Sequence, residues 1–185
     1  MIAIGGRLLL VMILIIGFIF ISKNNVYPQK SAIVIVVSEK GLGTGFITNE
    51  GIYTANHVSD TDTLNIIYYN KEVSLATVIK RDTANDILLL KPDRKVKTKV
   101  LKFANKELKE FDEVYTICHP ASMFYMQYKG YVHKENGVYY IVSFDLTGGA
   151  SGAPLLHNGK VYGMIQGAHQ NMQVTYCKKM IDYGK

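Results

Sequence analysis

Short β-forming runs separated by turn residues fill the sequence after residue 30, and no segment there shows a sustained 3.6-residue apolar period. This pattern predicts an all-β chain. The runs predicted as strands are Ala32–Val37, Gly43–Thr48, Ile52–Ala55, Thr63–Tyr69, Lys71–Lys80, Ile87–Leu90, Glu113–Cys118, Phe124–His133, Val138–Phe144, Ala153–Leu156, Lys160–Gln166 and Met172–Tyr176.

The predicted strands fall into two groups of about six, on either side of a basic stretch. Two Asn-Gly pairs, Asn136-Gly137 and Asn158-Gly159, predict two-residue hairpin turns, because both turn positions need positive φ. A chain of 185 residues suits one compact unit or two small lobes. We expect an N-terminal β-unit over residues 23–91, a linker over 92–112 and a C-terminal β-unit over 113–185.

Residues 1–22 differ from the rest of the chain, because the 14 residues from Leu8 to Ile21 are all apolar or glycine. A membrane span needs about 20 apolar residues, whereas a signal peptide has a core of about 7–15. The residues before Lys23 lack a convincing small-residue cleavage pair, which favours an uncleaved hydrophobic helix over a removed signal. Arg7 favours an inside N-terminus, so we expect a single-pass membrane protein whose body lies outside the cytoplasm.

The net charge of +6 is dispersed along the chain. Its densest run, Lys91–Lys102, has six basic residues and one acidic residue, and it is typical of a solvated linker. Without a Gly-rich phosphate loop or an aromatic stacking motif, no nucleic-acid partner is expected. The histidines form no H-x-x-x-H pattern, so no metal and no cofactor are expected.

Cys118 and Cys177 are the two cysteines of the chain. They would pair only in an oxidising compartment and only if the fold brings them together, which their spacing does not show. Two partly buried thiols are the favoured interpretation.

Three motifs, in order along the chain, contain the residue types of nucleophilic catalysis: His57, Asp86 and Ser151. A serine hydroxyl needs a base to take its proton, and a neutral imidazole can do this near physiological pH. A carboxylate on the other ring nitrogen fixes the tautomer and stabilises the imidazolium. Asp82 competes for that role, but Asp86 is favoured because it directly precedes an apolar strand. The glycines around Ser151 allow two backbone N–H groups to converge on an oxyanion.

At these residues the chain resembles the trypsin-like serine proteases, and among them the HtrA-type (Deg) branch. The segments that carry the resemblance are Gly43–Ile47, Thr54–Val58, Arg81–Lys91 and Gly149–Leu155. The resemblance extends over about residues 32–178. It implies two six-stranded antiparallel β-barrels, a catalytic triad in the cleft between them, and an oxyanion hole formed by the N–H groups of Gly149 and Ser151.

Two features depart from the family pattern. Ala150 stands where digestive trypsin-like enzymes have aspartate and HtrA-type enzymes usually have asparagine. The chain also leaves no room for the PDZ domain that HtrA-type enzymes usually carry, so their regulated assembly is not expected.

The resemblance does not determine which residue the specificity pocket accepts. Asp145, six residues before Ser151, implies cleavage after Lys or Arg if it forms the pocket floor. Relatives carry an aspartate about eight residues before the serine in a structural role, and a two-residue deletion would give Asp145 that role instead. The pocket wall, and with it the substrate-binding segment, is expected at Ile165, Gln166, Gly167 and Ala168. The remaining histidines are interpreted as loop, strand-end or hairpin residues, namely His119, His133, His157 and His169.

The expected function is that of a serine endopeptidase acting on protein or peptide substrates at a membrane. A different class of function is a catalytically inactive protease-fold module that binds extended peptides there. The presence of all three triad residues favours the enzyme. A polyprotein-processing protease would differ in context and not in chemistry.

Overall fold

The computed structural model describes residues 28–181 and 183, which form two closed six-stranded antiparallel β-barrels. The strands of the first barrel pair around the barrel in the order β1-β2-β3-β6-β5-β4. They are β1 (Ile33–Ser38), β2 (Gly41–Ile47), β3 (Ile52–Ala55), β4 (Thr63–Ile67), β5 (Val73–Asp82) and β6 (Ile87–Pro92).

The second barrel repeats this arrangement, in the order β10-β11-β12-β9-β8-β7. Its strands are β7 (Glu113–Cys118), β8 (Met126–Asn136), β9 (Tyr139–Val142), β10 (Pro154–His157), β11 (Lys160–His169) and β12 (Val174–Lys179). In the described part of the chain the only helices are four three-residue 3-10 turns.

Side-chain alternation determines which face of each strand enters the barrel. In β4, Leu64 and Ile66 are buried whereas Thr63 and Asn65 are exposed, as expected for a strand with one face toward a core. Strand β6 is different, because all four residues from Ile87 to Leu90 are buried. A continuous apolar run of this kind is typical of a strand covered on both faces.

The predicted all-β architecture and the implied pair of six-stranded barrels are confirmed. One hairpin prediction is wrong in detail. Asn158 and Gly159 both have positive φ (49° and 76°), as the Asn-Gly rule requires. Asn136 instead pairs with Tyr139 as the last residue of β8. The turn therefore consists of Gly137, at φ 57°, and Val138.

The stretch between the barrels is exposed along most of its length, as predicted for a solvated linker, but three of its residues are buried. Residues 93–95 are exposed, whereas Leu101, Ala104 and Leu108 are buried. The Leu101 N–H donates to the Ile47 carbonyl of the first barrel at 2.8 Å, and the Ala104 N–H donates to the Val161 carbonyl of the second barrel at 2.8 Å. This stretch therefore joins the two barrels through hydrogen bonds as well as through the chain.

The hydrophobic helix expected over residues 1–22 lies outside the described residues. Within the described part, no helix has the length and apolar character needed to cross a bilayer. The thiols of Cys118 and Cys177 are both free and fully buried. The two cysteines therefore form no disulfide, as the favoured interpretation held, but both thiols are fully buried and not partly buried as expected.

Candidate active site

His57 lies in the 3-10 turn Asn56–Val58, directly after β3, and Asp86 lies in the turn before β6. Strands β3 and β6 are antiparallel neighbours, with Ala55 opposite Ile87, so the two residues meet at one end of the barrel. The Asp86 carboxylate accepts two hydrogen bonds of 2.8 Å from His57, one from the backbone N–H and one from ring Nδ1. Because the carboxylate can only accept, Nδ1 carries the proton in neutral His57 and Nε2 keeps its lone pair.

Asp86 occupies a strained turn. Its φ is +55°, a left-handed conformation that is disfavoured for residues with a Cβ atom. Asp82 lies at the other end of the same turn, and its carboxylate accepts hydrogen bonds from the Asn85 backbone and side chain at 3.0 and 2.8 Å. These bonds hold the pKa of Asp82 below its usual range. Asp82 thus stabilises the turn, and Asp86 is the carboxylate that contacts His57.

Two side chains to which the sequence assigned no role hold the loop that follows His57. The Arg81 guanidinium donates to Asn56 Oδ1 and to the Ser59 and Thr61 carbonyls, each at 2.8 Å. Glu39 accepts hydrogen bonds from the Asp60 N–H at 2.6 Å and from Ser59 Oγ, and these bonds lower its pKa to about 2. Most of these bonds involve main-chain atoms, which leave no signature in a sequence.

Ser151 lies in a tight loop between β9 and β10, where Gly149 and Gly152 have φ of 96° and 85°. The Ser151 carbonyl accepts from the Thr44 N–H of β2 at 2.9 Å, and the Gly152 N–H donates to the Ile165 carbonyl of β11 at 2.8 Å. The backbone at Ser151 is therefore tied to both barrels. Within the described residues, the amides of Gly149 and Ser151 donate to no backbone carbonyl, so both remain available to an added acceptor.

Ala150 is 1% exposed and belongs to the apolar core of the second barrel, together with Leu146, Leu155 and Ile165. A charged residue in this core would need a buried partner. The small apolar side chain, which departs from the family pattern, therefore suits its surroundings.

A pocket of about 160 Å³ opens beside Ser151. Its lining residues are Leu146, Thr147, Gly148, Ala150, Ser151, Ile165, Gly167 and Ala168. Three of the four residues expected in the pocket wall are thus present. Asp145 is exposed and does not line this pocket, so no charged side chain is among the lining residues.

Gln166, the fourth residue expected in the wall, points elsewhere. It lies at an irregularity in the pairing of β11 with β12, between Ile165 and Gly167. Its amide nitrogen donates to the Asn85 and Asp86 carbonyls of the first barrel at 2.6 and 3.1 Å. Gln166 therefore holds the Asp86 turn against the second barrel and does not line the pocket.

Taken together, these contacts place His57 and its carboxylate at one end of the first barrel and Ser151 in a loop tied to both barrels. Among the described residues, no hydrogen bond joins His57 to Ser151. His57 has a carboxylate on one nitrogen and a free lone pair on the other, with its side chain 47% exposed and accessible to a reactant. Ser151 faces a pocket and has two unpaired amides nearby. This combination of groups suits acyl transfer.

Comparison with known proteins agrees with the fold. Residues 43–164 match the family described as trypsin-like peptidase domain. Among curated protein sequences, none matches the chain.

Solved structures of proteases superpose on most of the chain. The Rv3671c protease of M. tuberculosis in its active form gives a TM-score of 0.75 at 20% identity, over 86% of this chain and 81% of that chain. The serine endoprotease of Yersinia pestis gives 0.76 at 21% identity, over 83% and 60%. A serine protease of human pathogenic astrovirus gives 0.71 at 18% identity, over 84% and 93%. At 18 to 21% sequence identity, the similarity shows only a shared fold.

Proposed function

The chain belongs to the trypsin-like peptidase domain family, and from this premise we propose that it is a serine endopeptidase with His57, Asp86 and Ser151 as its catalytic triad. The observation that carries the proposal is the double hydrogen bond from His57 to the Asp86 carboxylate, through the backbone N–H and ring Nδ1. That pair orients the imidazole and leaves Nε2 as a base.

In the proposed reaction, Ser151 Oγ attacks the carbonyl carbon of the scissile peptide bond while His57 Nε2 takes the hydroxyl proton. The N–H groups of Gly149 and Ser151 stabilise the oxyanion that develops. His57 then gives the proton to the leaving amine, and water hydrolyses the acyl-enzyme by the same route in reverse. Asp86 remains ionised and stabilises the imidazolium throughout.

The first prediction concerns the nucleophile. Replacing Ser151 with Ala removes the attacking oxygen without adding volume, so turnover of a peptide substrate should fall by about 10⁴- to 10⁶-fold on a folded protein. Circular dichroism on both proteins controls for folding. Equal cleavage of the same peptides by the Ser151→Ala protein would exclude this serine as the nucleophile.

A fluorophosphonate probe separates the proposal from the alternative of an inactive peptide-binding module. An activated serine reacts with the probe, so the native protein should be labelled and the Ser151→Ala protein should not. A binding module would still bind extended peptides, but neither protein would be labelled.

The lining of the pocket supports an apolar residue before the scissile bond. Leu146, Ala150 and Ile165 are among its lining residues and no charged side chain is, and a cavity of about 160 Å³ resembles in size those that accept a benzene ring. Asp145 is exposed outside the lining, which argues against a preference for Lys or Arg.

The second prediction concerns the residue that precedes the scissile bond. In a peptide library, cleavage after aliphatic residues such as Val or Leu should exceed cleavage after Lys or Arg by at least about tenfold, because the lining offers no carboxylate to pair with a buried cation. The Asp145→Asn variant should keep the same profile. A native preference for Lys or Arg that Asp145→Asn abolishes would give Asp145 the role of pocket floor.

We also propose that residues 1–22 anchor the protein in a membrane and that its body lies outside the cytoplasm. The apolar run Leu8–Ile21 and the preceding Arg7 support this arrangement. Full-length protein should remain in the membrane fraction after alkaline carbonate extraction, whereas a protein lacking residues 1–22 should not. Release of the full-length protein, or a mature N-terminus beyond residue 22, would contradict the anchor.

A further inference from the structure

His119 lies at a strand end, as the sequence indicated, but it is fully buried at the junction of the two barrels. It directly follows β7 of the second barrel. Its backbone N–H donates to Thr44 Oγ1 at 3.2 Å, and its ring Nε2 lies 3.3 Å from the Val34 carbonyl oxygen. Both partners belong to the first barrel. The proposed triad does not use this histidine.

The partners of the His119 ring determine its protonation state. The Tyr125 N–H donates to Nδ1 at 3.0 Å, so Nδ1 must present a lone pair. The proton of the neutral ring is then on Nε2, opposite a carbonyl oxygen that can only accept. Burial lowers the pKa of His119 to about 4, which agrees with a neutral ring. The single tautomer with the proton on Nε2 satisfies both partners at once.

The hydrogen bond from Tyr125 closes the loop of residues 119–125, which has an unfavourable backbone. Ala121, Ser122 and Tyr125 have φ of 47°, 62° and 58°, in the left-handed region. Residues with a Cβ atom adopt this conformation only when surrounding contacts impose it. The His119 ring supplies such contacts, because it accepts the Tyr125 N–H and lies in T-shaped contact with Phe124 and Tyr125, at 5.9 and 4.7 Å between ring centroids.

This loop contacts the peptide units that precede Ser151. The Ala121 N–H donates to the Gly148 carbonyl at 2.8 Å. Thr44 Oγ1, which accepts the His119 N–H, donates to the Gly149 carbonyl at 2.7 Å. The His119 carbonyl lies so close to Gly149 that an added Cβ would be 2.2 Å from the oxygen. The backbone of Gly148 and Gly149 is therefore held from two sides.

Because the peptide unit is planar, these contacts also determine the direction of the Gly149 N–H. In a trans peptide the carbonyl oxygen of one residue and the N–H of the next point in opposite directions. By holding the Gly148 carbonyl toward the loop, the Ala121 N–H directs the Gly149 N–H away from the loop. The direction of the Gly149 N–H matters because this group is a proposed oxyanion donor.

We propose that His119 is a positioning residue for the oxyanion hole: its neutral ring bridges Val34 and Tyr125 and so holds the loop of residues 119–125 against Gly148 and Gly149. This inference rests on the proposed function, since it assigns the Gly149 N–H to the oxyanion. His119 itself does not contact the substrate in this proposal.

Three substitutions separate the two ring contacts. His119→Asn can place an amide oxygen near the Nδ1 position and accept the Tyr125 N–H. His119→Gln can place an amide nitrogen near the Nε2 position and donate to Val34, but leaves the Tyr125 N–H unpaired. His119→Phe keeps an aromatic ring and loses both hydrogen bonds. His133→Phe, at an exposed position of β8, is the matched control for loss of a histidine.

For His119→Gln and His119→Phe we expect kcat on a peptide substrate to fall by about 10²-fold, the effect of losing one oxyanion donor, with KM within about threefold. Affinity for a peptide aldehyde, whose adduct places an oxygen in the oxyanion hole, should fall by a similar factor. His119→Asn should stay within about tenfold of the native kcat. A merely structural role would lower the melting temperature of all three variants and leave kcat and aldehyde affinity of the folded protein unchanged, which would overturn the proposal.

Nitrogen-15 NMR of the native protein tests the proposal without a substitution. His119 should show the neutral tautomer protonated on Nε2 at pH 6 to 8. A ring protonated on Nδ1 would overturn the proposal, even if every variant failed to fold. Fluorophosphonate labelling of the native protein keeps the two hypotheses distinguishable. Absence of labelling would contradict the peptidase, whereas labelling with full activity in the His119 variants would contradict only the role of His119.

Discussion

Two histidines of this chain have opposite surroundings. His57 is exposed and has a carboxylate partner, whereas His119 is buried, and its ring is hydrogen-bonded only to backbone groups. A carboxylate stabilises the imidazolium, and a buried site without one destabilises it. In the proposed mechanism, the same residue type therefore serves as a base in one place and as a neutral hydrogen-bonding bridge in the other.

The buried histidine predicts a pH dependence of stability. The pKa of His119 falls from 6.5 to about 4 on folding because burial disfavours the charged ring, so the unfolded chain binds more protons between these values. The free energy of unfolding should decrease as pH falls from 6.5 to 4, by about 3 kcal/mol in all, and this contribution should be constant above pH 6.5.

Urea unfolding of the native and His119→Asn proteins at pH 7 and 4.5 measures this contribution. The ring contacts of His119 include no other group that changes charge in this range, since Tyr125 has its pKa raised to about 12 by burial. The native protein should therefore lose more stability than the variant. An equal loss in both proteins would show that other groups account for the acid sensitivity.

At the scale of elements, the sequence was sufficient to predict all twelve strands, because alternating apolar residues and turn residues act locally. The first and last residues of the strands were less predictable. Strand β12 begins at Val174 and not at Met172, since a 3-10 turn precedes it, and β8 continues to Asn136 because that residue pairs with Tyr139. Strand ends depend on partners that are distant in the chain.

The same limit applies to the site. Sequence motifs indicated His57, Asp86 and Ser151 because each lies in a recognisable local pattern. Gln166 and His119 act on main-chain carbonyls and amides of other strands and loops, and such contacts leave no pattern in the sequence. Each has partners in the other barrel, so the three-dimensional structure is needed to identify them.

The two hydrogen bonds of Gln166 to the Asp86 turn predict that its replacement lowers activity. Gln166→Met keeps the length of the side chain but removes the two hydrogen bonds to the Asn85 and Asp86 carbonyls. Each bond contributes about 1 kcal/mol, so we expect kcat/KM to fall by up to about 30-fold, with a larger fall for Gln166→Glu, which places an anion against two carbonyl oxygens.

Gln127→Met, at an exposed position of β8, is the matched control and should retain full activity. If Gln166→Met and Gln127→Met had the same kcat/KM as the native protein, the contact between β11 and the Asp86 turn would be irrelevant to catalysis.

At the scale of the whole molecule, the site depends on contacts that cross from one barrel to the other. Thr44 of β2 bonds to the loops of Ser151 and His119, and Gln166 of β11 bonds to the turn of Asp86. One apolar cluster lies within the second barrel, whereas the other fills the first barrel and continues into the second through Ile117, Leu156 and Met164. The thiols of Cys118 and Cys177 are buried without forming a disulfide. Non-covalent contacts and the single linker therefore hold the described structure together.

The buried thiols predict how the molecule responds to redox conditions. A reductant should leave the melting temperature unchanged, because there is no disulfide to break. A thiol reagent should react slowly with the native protein, since burial raises the pKa of both thiols, and should modify two thiols per chain in denaturant. A melting temperature that falls with reductant would instead indicate a disulfide in solution.

The exposed start of the linker, at residues 93–95, has a practical consequence. A break introduced there would leave the proposed base, His57, and its carboxylate, Asp86, on one polypeptide and the proposed nucleophile, Ser151, on the other. Neither fragment could then hydrolyse a peptide by this mechanism alone, and any recovered cleavage would measure how often the fragments associate. Two proteins fused to the fragments could be tested for interaction by this signal.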